Sequence, residues 1–235
     1  MNIEQHTLKQ FDEELESLRS SVMEMGGLVE EQIKLALDAL SSGDLALCDQ
    51  VGESDHKVNA FEVDIDEEIG TIIARRAPAA IDLRFLLGVK NLITDLERIG
   101  DEADKIARMT KLIYSSEQIK LPRTKEIRNM SGLAIEMLRN ALDSFARLDL
   151  TATAEVIQKD DIVDEEFKAV LRQLITHMME DPRTISMSIE ILFIAKAIER
   201  IGDHAKNIAE YVIYMVKGKD VRHVSREEIK RQAEG

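Results

Sequence analysis

The five residues "ERIGD" stand at 97–101 and again, letter for letter, at 199–203. A chain that repeats itself over such a distance builds two copies of one structural unit, and few features restrict a fold as strongly. The match runs well beyond the motif: "ITDLERIGDEADKIARM" (93–109) lies over "IAKAIERIGDHAKNIAEYV" (194–212), with the motif offset by 102 positions. Upstream, "ALDAL" (36–40) matches "ALDSF" (141–145) at an offset of 105, which also carries Asp44 onto Asp149, Asp55 onto Asp160 and Val58 onto Val163. The change of offset predicts a turn three residues longer in the first copy, around Pro78.

Each copy reads as three long amphipathic helices. In the first they are expected from Leu8 to Leu40, Asp44 to Arg75 and Ile81 to Tyr114, broken at "SSGD" (41–44) and "RAPAA" (76–80). In the second they are expected from Pro122 to Arg147, Thr151 to Glu180 and Thr184 to Lys217, with turns at "LDLT" and "EDPRT" and Thr184 as the cap of the last helix. Only three prolines occur in 235 residues, which agrees with long helices, since proline is excluded from their interiors. Aromatic residues are 4% and tryptophan is absent, so the core has to be aliphatic, with methionines such as Met23, Met25, Met137, Met178 and Met179 as filling. The fold class is therefore all-α, a tandem repeat of two three-helix bundles, with domains at 1–121 and 122–235 and Pro122 at the boundary.

On the last helix Glu199, Asp203 and Asn207 fall on one line, while Ile194, Ala197, Ile201, Ala205 and Ile208 fall opposite. The first copy repeats the pattern with Glu97 and Asp101 against Leu92, Ile99, Ala103 and Ile106. An acidic face opposite an apolar stripe is what any surface helix shows. Three features argue for more. The letters are retained between copies that otherwise diverged. Gly100 and Gly202 sit mid-helix, where glycine costs about 1 kcal/mol relative to alanine, which suggests close packing beside the carboxylates. The second helix of the first copy carries its own polar line, Asp55, Asn59, Glu62 and Asp66. If that line faces Glu97 and Asp101, oxygen ligands gather from two helices, a set suited to Mg²⁺, Mn²⁺, Ca²⁺ or iron.

Other classes are disfavoured. The net charge of −14 repels phosphate backbones and argues against nucleic-acid binding. Cys48 is the single cysteine, so neither an internal disulfide nor a thiolate metal cluster is expected. With no apolar run of membrane-spanning length and no signal-like start in "MNIEQHTLKQFDEELE", a cytoplasmic protein is expected.

"MGGLVEEQI" (25–33), "DHKVNAFEVDIDEEI" (55–69), "APAAIDLRFL" (77–86) and both copies of "ERIGD" together resemble the PhoU family, over nearly the whole length. The resemblance implies two tandem three-helix bundles, a homodimer, and metal ions of the iron, Mg or Mn type on Glu/Asp-x-x-x-Asp motifs. It also implies a non-enzymatic negative regulator of phosphate uptake and of the phosphate-starvation response, linking the ATPase subunit of a phosphate ABC transporter to a membrane sensor histidine kinase. Carried over residue by residue, the motif falls on Glu97 and Asp101 with Glu62 and Asp66 facing them, and on Glu199 and Asp203 extended by Asn207. The copies are not equal: Glu62 and Asp66 fall on Phe167 and Leu171, which leaves Asp160 and Asp164 as the acids of that helix face, and Lys105 stands where Asn207 does.

Two other readings compete. A carboxylate-bridged di-metal helical-bundle enzyme calls for Glu-x-x-His pairs, and only "ESDH" (Glu53 to His56) fits; the second copy has "QKDD" there. His204 reads as a surface residue about 100° from Asp203. The other is an adaptor without metal, its acidic stripes solvated. The basic stretch "KGKDVRHVSR" (217–226) reads as a solvated tail.

Overall fold

The computed structural model describes residues 3–115, 125–221 and 224. The expected boundary at Pro122, the start of the fourth helix there and positions 222, 223, 225 and 226 of the basic stretch lie outside the described residues. Within them the chain forms α1 (Ile3–Ser42), α2 (Leu45–Arg76), α3 (Ile81–Ser115), α4 (Lys125–Arg147), α5 (Thr153–Glu180) and α6 (Ile185–Lys217), with a 3-10 turn at Pro182–Thr184. All-α and six-helical, this is the tandem architecture expected from the repeat.

Local chemistry sets the breaks. Gly43 takes a left-handed conformation (φ 74°) after α1, and the Asp44 carboxylate then accepts from Ala46 N at 2.9 Å to cap α2. Ala77 closes α2 at φ 45°, donating its N–H to Ile73 O, while Arg75 and Arg76 lie at the negative end of the helix dipole. Between α5 and α6 the capping residue is Asp181, whose Oδ1 accepts from Arg183 N at 3.1 Å. Thr184 does not cap α6; its hydroxyl donates back to Asp181 O at 2.7 Å, and its backbone is already helical. Nor is the Pro78 turn longer. Residues 77–80 and 181–184 are connections of equal length, and the offset arises inside the helices: Glu97 is sixteen residues past Ile81 and Glu199 fourteen past Ile185, while Arg76 is twenty-one past Asp55 and Glu180 twenty past Asp160.

Helices α1–α3 pack on one another, as do α4–α6, and the bundles join along α3 and α6, with α1 also meeting α4. The core is continuous across the join and aliphatic as expected, with Met25 and Met137 fully buried; Met179, expected inside, is 80% exposed. Phe85 of α3 stacks on Phe145 of α4 with centroids 6.1 Å apart, so a first-bundle ring packs in the second bundle.

Polar contacts pin the same join. Glu30 on α1 pairs with Arg139 on α4 at 2.5 Å and with Lys34 at 2.5 Å. The Arg139 hydrogen bond, aided by Lys34, holds its pKa down at about 2, against 4.5 for an ordinary glutamate. A depressed carboxylate stabilises the fold above its unfolded pKa and ceases to do so as pH falls through its folded one. The stability difference between the parent and Glu30→Gln should accordingly be constant near neutrality and close between about pH 4.5 and 2. Thermal melts across that window check it.

Candidate metal centre

In the first bundle the expected facing of α2 and α3 is present. The Glu97 carboxyl is held above the ordinary value by desolvation first, then by the charges of Asp101, Glu62 and Asp55. Asp101 is raised likewise, by desolvation and then by Asp55 and Glu102. Four carboxylates from two helices are thus within electrostatic reach of one another. Asp66 stands apart, taken up by an ion pair with Lys90. Glu62 accepts a hydrogen bond from the Thr94 hydroxyl at 3.1 Å.

Behind this face lies a residue not expected at the site. Gln32 of α1 is 0% exposed and aims its amide between α2 and α3. Its Nε2 donates to Asp55 Oδ1 at 3.2 Å and to Gly100 O at 3.2 Å, whereas its Oε1 is buried with no hydrogen-bond partner, as is Asn59 Oδ1. Gly100 allows this: a Cβ there would lie 3.1 Å from Gln32 Oε1 and 3.4 Å from Val58. Gly202 does not have the same role, because its Cβ would meet only Val163 and Met137 at 3.6 and 3.7 Å, ordinary contacts. Gly202→Ala should therefore raise stability by up to about 1 kcal/mol, roughly 2–4 °C in melting temperature for a chain of this size. Gly100→Ala, which displaces Gln32, should gain nothing or lose stability, and melting the two variants side by side decides it.

The second bundle is built differently. Asp160, only 3% exposed, accepts a hydrogen bond from Lys206 Nζ at 2.7 Å, and the same ammonium lies 3.8 Å from Asp203. Glu199 is paired with Lys196, whose Nζ also lies 5.5 Å from the Phe167 ring centroid. Asp164 is raised by desolvation, then by Asp160 and Asp203, with Lys206 acting against them. Asn207 turns away from Glu199 and Asp203, donating to Asp95 Oδ1 at 3.3 Å.

Asp95 belongs to a cluster between the bundles that helical periodicity did not indicate. It is almost fully buried and faces His204 Nδ1 at 2.5 Å. His204 is thus a buried interface residue and not a surface one. Nearby, Glu102 is buried between Arg200 at 3.0 Å and Lys105 at 3.2 Å. The Glu-x-x-His pair of the enzyme reading, Glu53 and His56, is exposed. Cys48 is buried, and burial pushes its thiol pKa up, as expected of an inert cysteine.

Among the described residues no three His, Cys, Asp or Glu side chains converge as a ready-made ligand set. Oxygen-only donors from two helices, with two buried amide oxygens beside them lacking donors, still fit a hard cation in the first bundle. The lysine-paired acids of the second do not.

Comparison with known proteins places these features in a family. Residues 22–110 and 127–212 each match the PhoU domain model. A phosphate-specific transport system accessory protein PhoU homolog from Burkholderia sp is 46% identical over 232 residues, 98% of this chain and 99% of that protein. The crystal structure of PhoU from Pseudomonas aeruginosa superposes with a TM-score of 0.85 at 46% identity, covering 89% of this chain and 100% of that one. The phosphate transport system regulatory protein PhoU from Streptococcus pneumoniae gives 0.82 at 29% identity, covering 90% and 99%.

Proposed function

This chain belongs to the PhoU family, and from that premise we propose that it is a non-enzymatic accessory protein of phosphate transport. It acts as a cytoplasmic adaptor between the ATPase subunit of a phosphate ABC transporter and a membrane sensor histidine kinase, and restrains uptake and the starvation response while phosphate is plentiful. The observation that carries this reading is near full-length similarity, in sequence and in fold, to proteins named as accessory or regulatory to phosphate transport. Among the described residues no helix is long and apolar enough to cross a membrane. The test is a reporter of the phosphate-starvation response in cells lacking the chain, joined to a pull-down with the ATPase subunit. Derepression in high phosphate, reversed by the restored chain, together with capture of the ATPase, supports it. Restoration without capture would remove the adaptor part.

A divalent or iron-type cation (Mg²⁺, Mn²⁺ or Fe²⁺) belongs with the first bundle, held by Glu97 and Asp101 and reached by Glu62. Bound there, the ion supplies positive charge that neutralises neighbouring carboxylates and ties α2 to α3.

The chain also pairs with a second copy, and the α5–α6 hairpin is the face that suits this. Ile175, Met179, Ile185, Ile189 and Phe193 are all exposed there. Residues 171–196 hold three basic (Arg172, Arg183, Lys196) and three acidic (Glu180, Asp181, Glu190) side chains, a neutral span in a chain of net charge −14. Two such faces meet without like-charge repulsion of their own, whereas the excess negative charge on the rest of each copy repels and is screened by salt, so added salt should strengthen pairing. Sedimentation of the parent and Phe193→Glu tests it: a monomeric parent, or a variant that pairs equally well, would refute it.

A further inference from the structure

Aligned position by position, the two repeats differ by five replacements along the same helix faces. At the offset of 105, Gln32 corresponds to Met137, Glu62 to Phe167 and Asp66 to Leu171; at 102, Thr94 corresponds to Lys196 and Asp104 to Lys206. The surrounding frame is retained. Gly100 lies against Gln32, Val58 and Asp55, and Gly202 lies against their counterparts Met137 and Val163. The buried amide oxygen has thus become a thioether. The Thr94–Glu62 hydrogen bond has become a Lys196 ammonium beside the Phe167 ring. An acidic side chain has become Lys206, whose ammonium is hydrogen-bonded to buried Asp160 and close to Asp203.

We infer that the second bundle has exchanged an external cation for a built-in one: Lys206 Nζ, supported by Lys196, neutralises Asp160, Asp203 and Glu199, and this bundle takes no divalent metal. A hard cation needs several oxygen donors converging on it. Here Asp160 and Asp203 already face the Lys206 ammonium and Glu199 that of Lys196, and Glu62 and Gln32 have no oxygen-bearing equivalents. Lys206 is tethered to its own helix, so no dissociation separates it from the carboxylates while the chain is folded. The second bundle is then held constitutively, and any dependence on metal is confined to the first.

The inference is tested on the full chain, stripped of metal and titrated with Mn²⁺ alone. In nitrogen-15 correlation spectra the paramagnetic ion should broaden the amide signal of Gly100 more than that of Gly202 at one equivalent, and broadening at both should vanish in Glu97→Gln/Asp101→Asn. Broadening at Gly202 that persists in Glu97→Gln/Asp101→Asn and vanishes in Glu199→Gln/Asp203→Asn would overturn it. The second arm places Lys196→Gln/Lys206→Gln in the Glu97→Gln/Asp101→Asn background; glutamine keeps a donor for Asp160, and circular dichroism confirms the fold. This chain should gain Mn²⁺ uptake, measured by equilibrium dialysis, at least tenfold above its lysine-bearing parent. A folded lysine variant with no gain would overturn the inference. Absence of any Mn²⁺ from the parent would refute the first-bundle reading alone, leaving the lysine variant to decide this one.

Discussion

Phe145→Ala should lower the stability of the chain by about 3–5 kcal/mol, the cost of removing a fully buried aromatic ring and leaving a cavity. At roughly 2–4 °C per kcal/mol for a chain of this length, melting should fall by roughly 6–20 °C. The size follows from position: Phe145 is 0% exposed and stacks on Phe85 of the other bundle. Because the hydrophobic core is continuous, the loss should destabilise both bundles together. Hydrogen exchange should show α2 and α5 losing protection in parallel, and calorimetry should show one transition in both proteins. Two separate transitions, with the first bundle unmoved, would mean that the bundles fold independently and that the join is superficial. Leu112→Ala, which truncates an exposed side chain of α3 away from the α5–α6 face, is the control and should stay within about 0.5 kcal/mol of the parent.

Saturating Mn²⁺ should raise the melting temperature of the metal-free chain by roughly 5–10 °C at pH 7. A ligand present at a hundred times its Kd adds about 2.7 kcal/mol to a folded state that alone binds it. The sign without metal follows from the shifts. Glu97 and Asp101 have folded pKa values above their ordinary ones, through desolvation first and repulsion from neighbouring carboxylates second, Asp101 acting on Glu97 and Asp55 on Asp101. Groups raised in this way favour the folded state when protonated, so their contribution worsens as pH rises through the unfolded and then the folded pKa. Metal-free Glu97→Gln/Asp101→Asn should therefore melt above the metal-free parent at pH 7, and Mn²⁺ should no longer move it. An equal Mn²⁺ response in parent and variant would place the ion elsewhere.

Much of this molecule was legible before its structure. Helix breaks at Gly43–Asp44 and at Ala77–Pro78 follow from left-handed and capping preferences that act within a few residues. The acidic line of α3, with Glu62 and Asp55 opposite, follows from helical periodicity and from the retention of "ERIGD". The lysines were also within reach, because the aligned copies show Lys206 at the position of Asp104 and Lys196 at that of Thr94. Asn207, which periodicity puts on the acidic line, serves Asp95 instead.

Other features had no local signature. Asp95 and His204 lie on different helices 109 positions apart, and each reads as an ordinary polar residue at its own place in the helical wheel. Gln32 reads as one more polar residue of α1, although it is fully buried behind the carboxylates. Met179 has the composition of core and lies in the open. Periodicity assigns a residue to a face of its own helix, and says nothing about which other helix, if any, covers that face. The sequence by itself therefore determined the repeat, the six helices, their breaks and the acidic faces, since short-range backbone and side-chain preferences decide these. Tertiary packing alone decided that the two bundles share one core along α3 and α6, that an amide stands behind one acidic face and that ammonium groups stand against the other. Those outcomes depend on contacts between residues far apart in the chain, where burial and charge are set by whatever the neighbouring helix brings.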